Sequence, residues 1–380
     1  MDFDLTEEQK ILKKTIRDFI KKECPKEYVR ELDEKGEFPL DIYKKSVELG
    51  LSGLSFPEKY GGTDGNLFDV VIAFEELARG AMVMAFAAGC NWLFAGDAIL
   101  HFGSEEQKDY YLPRMVRGEI IFSFAMTESG AGSDTLAIST SAVKDGNDYV
   151  INGNKIFITM AHISDMIMIL ARTDKNVPPH KGVTLFIVDA KSPGVEIRKL
   201  NMLGRRAIGT CEIFFEDVRV PSENIIGGLH QGWSKLRKLF EQERICAAAM
   251  YVGTAQAVLD DVIQYAKERV QFKKPLSKFQ MIQQMIVDMQ TEIESARLLT
   301  YYAAWKIVRG LPAVRESSTA KLKATETYVN SSNYGMQIMG GYGYSMEYDM
   351  QRHFRDSKAA TIAGGSTQIQ RIVIAKEMGL

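Results

Sequence analysis

The feature that most constrains this chain is a change of hydrophobic period that occurs twice. Residues 1 to about 115 follow helical spacing, with Ile11, Ile16, Phe19 and Ile20 on one face and "DVVIAFEELARGAMVMAFAAG" apolar enough to be buried. From about 118 the pattern becomes short β-rich runs, "EIIFSFAMTE", "DYVINGNKIFIT", "DMIMILARTD", "GVTLFIVDA" and "CEIFFEDVRV", separated by Gly, Pro, Asn or Asp. No helices intervene, so an antiparallel sheet or small barrel is predicted, not a βαβ nucleotide fold. From about 229 long helices return. In that region Ile282, Met285, Ile286, Met289, Ile293 and Ala296 form a stripe suited to a four-helix bundle. The expected fold is mainly α with a central β domain. An N-terminal helical domain spans 1–117, an antiparallel, barrel-like β domain 118–228, and a C-terminal helical bundle 229–380.

Composition narrows the function classes. With 380 residues and 46% hydrophobic content there is material for several domains packed together. Lys plus Arg number 47 against 49 Asp plus Glu, a net charge of −2, which offers no field for nucleic acid or an anionic membrane. Cys24, Cys90, Cys211 and Cys246 are scattered, which argues against disulfide scaffolds, redox pairs and cysteine zinc sites; buried thiols and no metal are expected. The N-terminus lacks the layout of a targeting peptide, and no apolar run is read as approaching membrane-span length. A cytoplasmic protein is expected.

Four stretches can carry chemistry. "AMTESGAGSD", Ala125 to Asp134, packs small residues into a loop after a strand, where a flat or phosphorylated ligand can approach the main chain and Thr127 and Ser133 offer hydroxyls. By strand alternation Phe157 and Thr159 of "KIFIT" share a face. "ERVQFKKPLSKFQ" sets Arg269 at a helix end, either as a charge complement or as a fork for a pyrophosphate. In "TIAGGSTQIQR" two glycines and Ser366 precede a helix, a cradle for a polar ligand that contains neither acid nor histidine. The proton acceptor must come from elsewhere.

"KLFEQERICAAAM" supplies it. Glu241 has Arg237, Lys238 and Arg244 three or four residues away, which predicts a solvated, ion-paired face. Glu243 instead has Leu239, Phe240, Cys246 and Ala247 at those offsets. A carboxylate on an apolar stripe is costly to ionise, so its pKa is expected to rise toward neutrality, where a general base works best.

Taken together, "MTESGAGSD", "KIFIT", "FEDVRVP", "ERVQFKKPLSKFQ", "QIMGGYGY" and "GGSTQIQR" resemble, in order and spacing and over essentially the whole chain, the flavin-dependent acyl-CoA dehydrogenases. The resemblance implies an FAD enzyme that removes a proton α to a CoA thioester while a hydride leaves the β carbon for the flavin. It also implies a tetramer of paired dimers and an electron-transfer flavoprotein or similar acceptor. Phe124, Met126, Thr127, Gly132, Ser133, Phe157, Ile158 and Thr159 would border the flavin, with Phe157 where the family usually has Trp. Arg269, Gln271, Phe272, Gln280, Gln337 and Gly341 would reach the FAD of a neighbouring subunit, and Ser366 and Gln368 would return to the flavin. Ser133, Glu241 and Arg244 would lie along the CoA chain, and Asn91, Gly364 and Gly365 would line the acyl pocket, with Trp92 and Phe94 beside Asn91. His162 is read as a local hydrogen-bonding residue.

One departure is informative. Many relatives carry "YEGT" where this chain has Ala363, Gly364, Gly365 and Ser366, so Gly364 stands in place of their base. In another branch the base is a glutamate at the position of Glu243. Loss of two side chains at 363 and 364 is read as widening the pocket toward branched or alicyclic acyl groups. An enoyl-CoA reductase on the same scaffold and a non-catalytic acyl-CoA-binding protein are the alternatives.

Overall fold

A computed structural model describes residues 4–380. The chain is mainly helical around a central β domain, as the change of period predicts. Helices α1 (Glu7–Glu23), α2 (Lys26–Lys35), α3 (Leu40–Glu48), α4 (Leu67–Gly80), α5 (Met82–Ala88), α6 (Asp97–Phe102) and α7 (Glu105–Val116) come first. Three of their N-termini are closed by reciprocal side-chain caps, Thr6 with Gln9, Asn66 with Asp69 and Ser104 with Gln107. Ile16 and Ile20 are buried, whereas Ile11 turns outward.

The apolar run after Asp69 breaks between α4 and α5 at Gly80 and Ala81, where a side chain on Gly80 would strike Ile20 of α1. Helix resumes at once. The continuous helical stretch Met82–Phe102, with a π-helical segment at Gly89–Gly96, has 21 residues and is long and apolar enough to cross a membrane. This corrects the expectation that no such run exists. Most of it is buried against the rest of the protein, as befits a core helix.

The β domain comprises β1 (Phe122–Ala125), β2 (Ser141–Asp145), β3 (Asp148–Thr159), β4 (Met166–Arg172), β5 (Val183–Asp189), β6 (Val195–Lys199), β7 (Thr210–Pro221) and β8 (Ile225–Ile226). They form one sheet in the order β6-β7-β3-β2-β4-β5-β8, with β1 on β4. Most pairings are antiparallel, but β1 runs parallel to β4, and β2 meets β4 through one parallel pair. The end strands β6 and β8 do not pair, so the sheet does not close into a barrel.

The C-terminal part is built on α8 (Gly232–Glu268), followed by the short hairpin β9 (Val270–Gln271) and β10 (Lys274–Pro275), then α9 (Gln280–Val308), α10 (Val314–Met339), α11 (Gly341–Tyr344), α12 (Met350–Ala360) and α13 (Thr367–Glu377). Helix α8 packs against α9 and α10, and α13 lies against α10. Of the predicted α9 stripe, Met289, Ile293 and Ala296 are buried and Ile282, Met285 and Ile286 flank the same core. All four cysteines are buried and unpaired.

Helix α4 joins the first and last thirds into one body. Its buried Glu75 accepts hydrogen bonds from Arg297 (2.9 Å) and Tyr301 (2.9 Å) of α9. Its buried Glu76 is paired with Arg17 of α1 at 2.8 Å. Helices α4 and α8 approach closely because Gly253 leaves room: a β-carbon there would lie 2.1 Å from the Glu75 carbonyl oxygen. Gly253→Ala is therefore expected to destabilise the protein by about 1–3 kcal/mol despite the better helix propensity of Ala, measured as a lowered urea midpoint.

Candidate active site

Two of the sequence motifs meet at the end of β1. The loop after Ala125 is tied to β3 by the Ile156 N–H, which donates to the Thr127 carbonyl at 2.9 Å. Beneath it Lys155, 0% exposed, donates from Nζ to the Met126 carbonyl at 3.0 Å and to Glu128 Oε1 at 2.8 Å. Glu128 also accepts from the Ser139 N–H (2.6 Å), the Ser139 hydroxyl (2.8 Å) and the Thr140 N–H (3.0 Å). Burial alone would raise the Glu128 pKa; the Lys155 charge and these donors outweigh it and bring it down to about 2. Sequence reading missed this pair, because nothing in the spacing of residues 128 and 155 shows that both are buried.

The supported loop presents its small residues outward. Gly132 and Ser133 are exposed, and a β-carbon at Gly130 or Gly132 would meet nothing within 4 Å. Neither glycine has a positive φ. Neither packing nor backbone geometry within this chain calls for glycine there, whereas a ligand lying on the loop would.

Phe157 stands beside this loop in an unusual state. Strand β3 bulges between Lys155 and Ile158, Phe157 has φ 60, and its ring is 56% exposed. A bulky residue held in the left-handed region with its ring in solvent is strained and solvated at once, a combination that collects at ligand sites. The bulge replaces the simple alternation expected of "KIFIT". Ile158 is buried in the sheet core, so its side chain is not available to a flavin, a correction to its assignment; only its main chain remains. Thr159 is half-buried. Phe124 stacks on Phe94 with centroids 4.7 Å apart and planes 2° from parallel, both partly accessible. Met126 is partly exposed in the same segment.

Among the described residues Asn91 lines no cavity, contrary to expectation, and Trp92 lines only a small internal one beside Tyr43, Leu77 and Met84. Asn91 is 0% exposed, donating from Nδ2 to the Tyr43 hydroxyl (3.1 Å) and accepting from the Phe122 N–H (3.2 Å). Trp92 is buried edge-on against Phe74. Of the three, Phe94 alone keeps an accessible face. His162 has the local role expected of it, with Nδ1 3.7 Å from Cys211 Sγ.

The acid that helical spacing singles out lies on α8. Glu243 is half-buried and makes no hydrogen bond or ion pair to any described residue. Desolvation raises its pKa, while Lys321 and Arg244 pull it down more weakly. Of the neighbours that helical spacing gives it, Leu239, Cys246 and Ala247 are buried; the charges of Lys321 and Arg244 lie outside that expectation. Glu241 is a correction: it makes no pair with Arg237, Lys238 or Arg244, and its Oε2 accepts the Ala313 N–H at 3.1 Å, capping the start of α10. The tertiary fold delivers an unsatisfied helix-end donor to it, which outcompetes neighbours exposed to water. Arg244 keeps its guanidinium free of hydrogen bonds, 5.9 Å from the Phe240 ring centroid.

The Gly364 turn packs onto this acid. Gly364 and Gly365 have φ 61 and 81, and a β-carbon on Gly364 would stand 2.8 Å from Glu243 Oε1 and 2.8 Å from Lys321 Nζ. Ser366 caps α13 by accepting the Ile369 N–H at 3.3 Å, and Gln368 is exposed in the first turn. Lys321, 1% exposed, was not singled out from sequence; it reads there as one of many lysines on a helix. A second unheralded acid, Asp97, is buried at the start of α6, where desolvation pushes its pKa up to about 7.

Arg269 and its companions form a separate group. An open depression of about 580 Å³ is lined by Tyr265, Arg269, Gln271, Gly341 and Tyr342 among others. Nearby Phe272 is 87% exposed at the tip of the β9–β10 hairpin, where it and Lys273 have φ 50 and 66, the mirror-image turn usually reserved for Asn and Gly. Gln280 and Gln337 are exposed, and a β-carbon on Gly341 would meet nothing within 4 Å. At about 1.5 Å per residue Arg269 lies roughly 39 Å along α8 from Glu243. The two groups are not brought together within one chain.

The chain as a whole is matched by known proteins. Family models for the N-terminal, middle and C-terminal domains of acyl-CoA dehydrogenases match residues 6–119, 123–218 and 230–379. The probable acyl-CoA dehydrogenase YngJ of Bacillus subtilis is 39% identical over 100% of both chains. The caffeyl-CoA reductase-Etf complex subunit CarC of Acetobacterium woodii is 40% identical over 97% of this chain and 98% of its own. The butyryl-CoA dehydrogenase structure from Megasphaera elsdenii superposes with a TM-score of 0.96 at 36% identity, covering 100% of each chain. The FAD complex of PigA superposes with a TM-score of 0.95 at 28% identity, again over 100% of each. The chain belongs to the acyl-CoA dehydrogenase family, and is a flavin-dependent oxidoreductase acting on acyl-CoA, with FAD as its cofactor.

Glu128 and Lys155 give a direct test of how the loop is held. Glu128→Gln leaves the buried Lys155 unpaired and is expected to cost about 3–5 kcal/mol, measured by denaturant unfolding. In the wild type Glu128 favours the folded state above pH 4.5, and this contribution is lost as the pH falls toward about 2. The variant should show a flatter acid-unfolding curve over that window.

Proposed function

We propose that this enzyme interconverts an acyl-CoA thioester and its α,β-unsaturated counterpart, with Glu243 as the group that exchanges the α proton. The observation that carries this reading is the unpaired Glu243 carboxylate, facing a turn where Gly364 leaves it uncovered. Desolvation makes its ionised form a better base, and a thioester α proton within reach would supply the missing partner.

The other residues serve to bind and orient. Gly132, Ser133 and Thr127 offer a main-chain surface and hydroxyls, and the Phe157 ring a flat apolar cover. FAD, when bound there, supplies the two-electron acceptor or donor for the β carbon. Arg244, which lacks a partner, can meet an anionic or carbonyl group of the CoA chain. Arg269, Gln271, Phe272, Gln280, Gln337 and Gly341 are assigned to the FAD of a second copy. Their distance along α8 from Glu243 and the exposed Phe272 support that assignment, and with it a homotetramer of paired dimers.

Two directions share this machinery by microscopic reversibility. Dehydrogenation with electrons passed to an electron-transfer flavoprotein is the principal reading, and the CarC relative favours enoyl-CoA reduction as the second. For the acyl group, the small residues Ala363 and Gly364, where many relatives carry Tyr and Glu, support a branched or alicyclic chain over a straight one.

Anaerobic titration of the FAD-loaded enzyme with straight, branched and cyclic acyl-CoAs decides among them. The substrate should bleach the flavin absorbance. Glu243→Gln is expected to retain FAD but lower the bleaching rate by about 10³-fold. In the wild type the rate should rise with pH as Glu243 ionises, with its midpoint above the ordinary carboxylate range. Unchanged turnover in Glu243→Gln removes Glu243 from the mechanism.

A further inference from the structure

Lys321 and Glu243 are placed in an unusual relation. Lys321 lies in α10 with its stem in the core, and its ammonium donates to three consecutive carbonyls: Ala363 (2.9 Å), Gly364, and Gly365 (3.1 Å). Three donors meet three acceptors, so the hydrogen-bonding capacity of the ammonium is filled by one turn of chain. That turn contains Gly364, whose missing β-carbon would sit 2.8 Å from the ammonium and 2.8 Å from Glu243 Oε1. The two charges are thus within about twice that distance, yet they form no ion pair.

The contrast with Glu128 and Lys155 shows what this separation does. There a buried lysine touches the carboxylate, whose pKa falls to about 2, useless for accepting a proton near neutrality. A carboxylate buried with no cation nearby would stay protonated, equally useless. At Glu243 the cation is near but already occupied by carbonyls.

We propose that Lys321 is a positioning residue for the base: it pins the 363–365 turn so that Gly364 keeps the carboxylate uncovered, and its charge, one glycine away, promotes ionisation of Glu243 without capturing it. The other charged groups acting here are Arg244, beside Glu243 on α8, and Arg205, from the loop before β7, which acts on Lys321. Arg205 is itself engaged, donating to the Tyr251 hydroxyl at 3.1 Å. Burial pulls the Lys321 pKa down to about 8, so its charge persists at neutral pH. Gln370 of α13 braces the same turn with a neutral donor, 2.9 Å from the Gly365 carbonyl. Bracing and charge can therefore be separated by mutation.

The proposal rests on Glu243 as the base, and the test keeps the two apart. In the FAD-loaded, substrate-free enzyme, the carboxyl stretching band of Glu243 is identified by its absence in Glu243→Gln, and its titration is followed by infrared difference spectroscopy. Lys321→Gln keeps a donor for the turn but removes the charge. Its Glu243 midpoint should move alkaline, and its bleaching rate at neutral pH should fall by about tenfold or more, recovering as the pH is raised. Gln370→Leu loosens the turn with the charge in place and should leave the midpoint where the wild type has it. An unmoved midpoint in Lys321→Gln, or an equal shift in Gln370→Leu, overturns the role of Lys321. Should Lys321→Gln not fold, Lys321→Arg keeps the charge and should hold the wild-type midpoint; an alkaline shift there overturns the proposal. Bleaching that survives in Glu243→Gln overturns the base itself, whatever the Lys321 variants show.

Discussion

The energetic cost of burying a charge organises this protein. Taking a carboxylate out of water is tolerable only when something compensates, and the structure shows different degrees of compensation within one chain. Glu128 is fully compensated, by Lys155 and by donors from Ser139 and Thr140, and it acts as a structural anchor. Glu75 is compensated across the domain boundary by Arg297 and Glu76 within the N-terminal domain by Arg17, which ties α4 to both α9 and α1. Glu243 is compensated only in part, by the nearby charges of Lys321 and Arg244. It is half-buried and makes no hydrogen bond or ion pair to any described residue, the environment in which functional acids collect.

The architecture depends on glycine used for its lack of a side chain. Gly253 lets α8, which carries Glu243, approach the backbone of α4. Gly364 lets the turn before α13 lie against the acid without covering it. Gly132 and Gly341 are bare on their outer side, where an added β-carbon would meet nothing within 4 Å. The first two are internal packing devices and the last two are open surfaces, a distinction invisible in composition. It emerges only when the space around each missing β-carbon is known.

Two reverses of expectation share one cause. The family resemblance implies a binding role for Asn91 and Glu241, but the fold supplies each with partners from distant sequence: Tyr43 and Phe122 for Asn91, Ala313 for Glu241. Polar groups bind whichever donor or acceptor the fold brings closest, and that choice is made by tertiary packing. Lys321 is the converse case. It is one of two lysines in "STAKLKATE" that helical spacing alone does not rank, and its three carbonyl partners lie more than forty residues on.

The sequence alone determined the helical, β, helical order, because hydrophobic period is a local property written into each segment. It also determined that Glu243 sits on an apolar face, since offsets of three and four along a helix are set by helical geometry whatever surrounds it. Tertiary structure decided the rest: that the sheet stays open, that Phe157 is forced outward at a bulge, and that Glu243 faces Gly364 with Lys321 beyond it. These depend on contacts between segments far apart in the chain, and no local periodicity encodes how far two such segments will stand from one another.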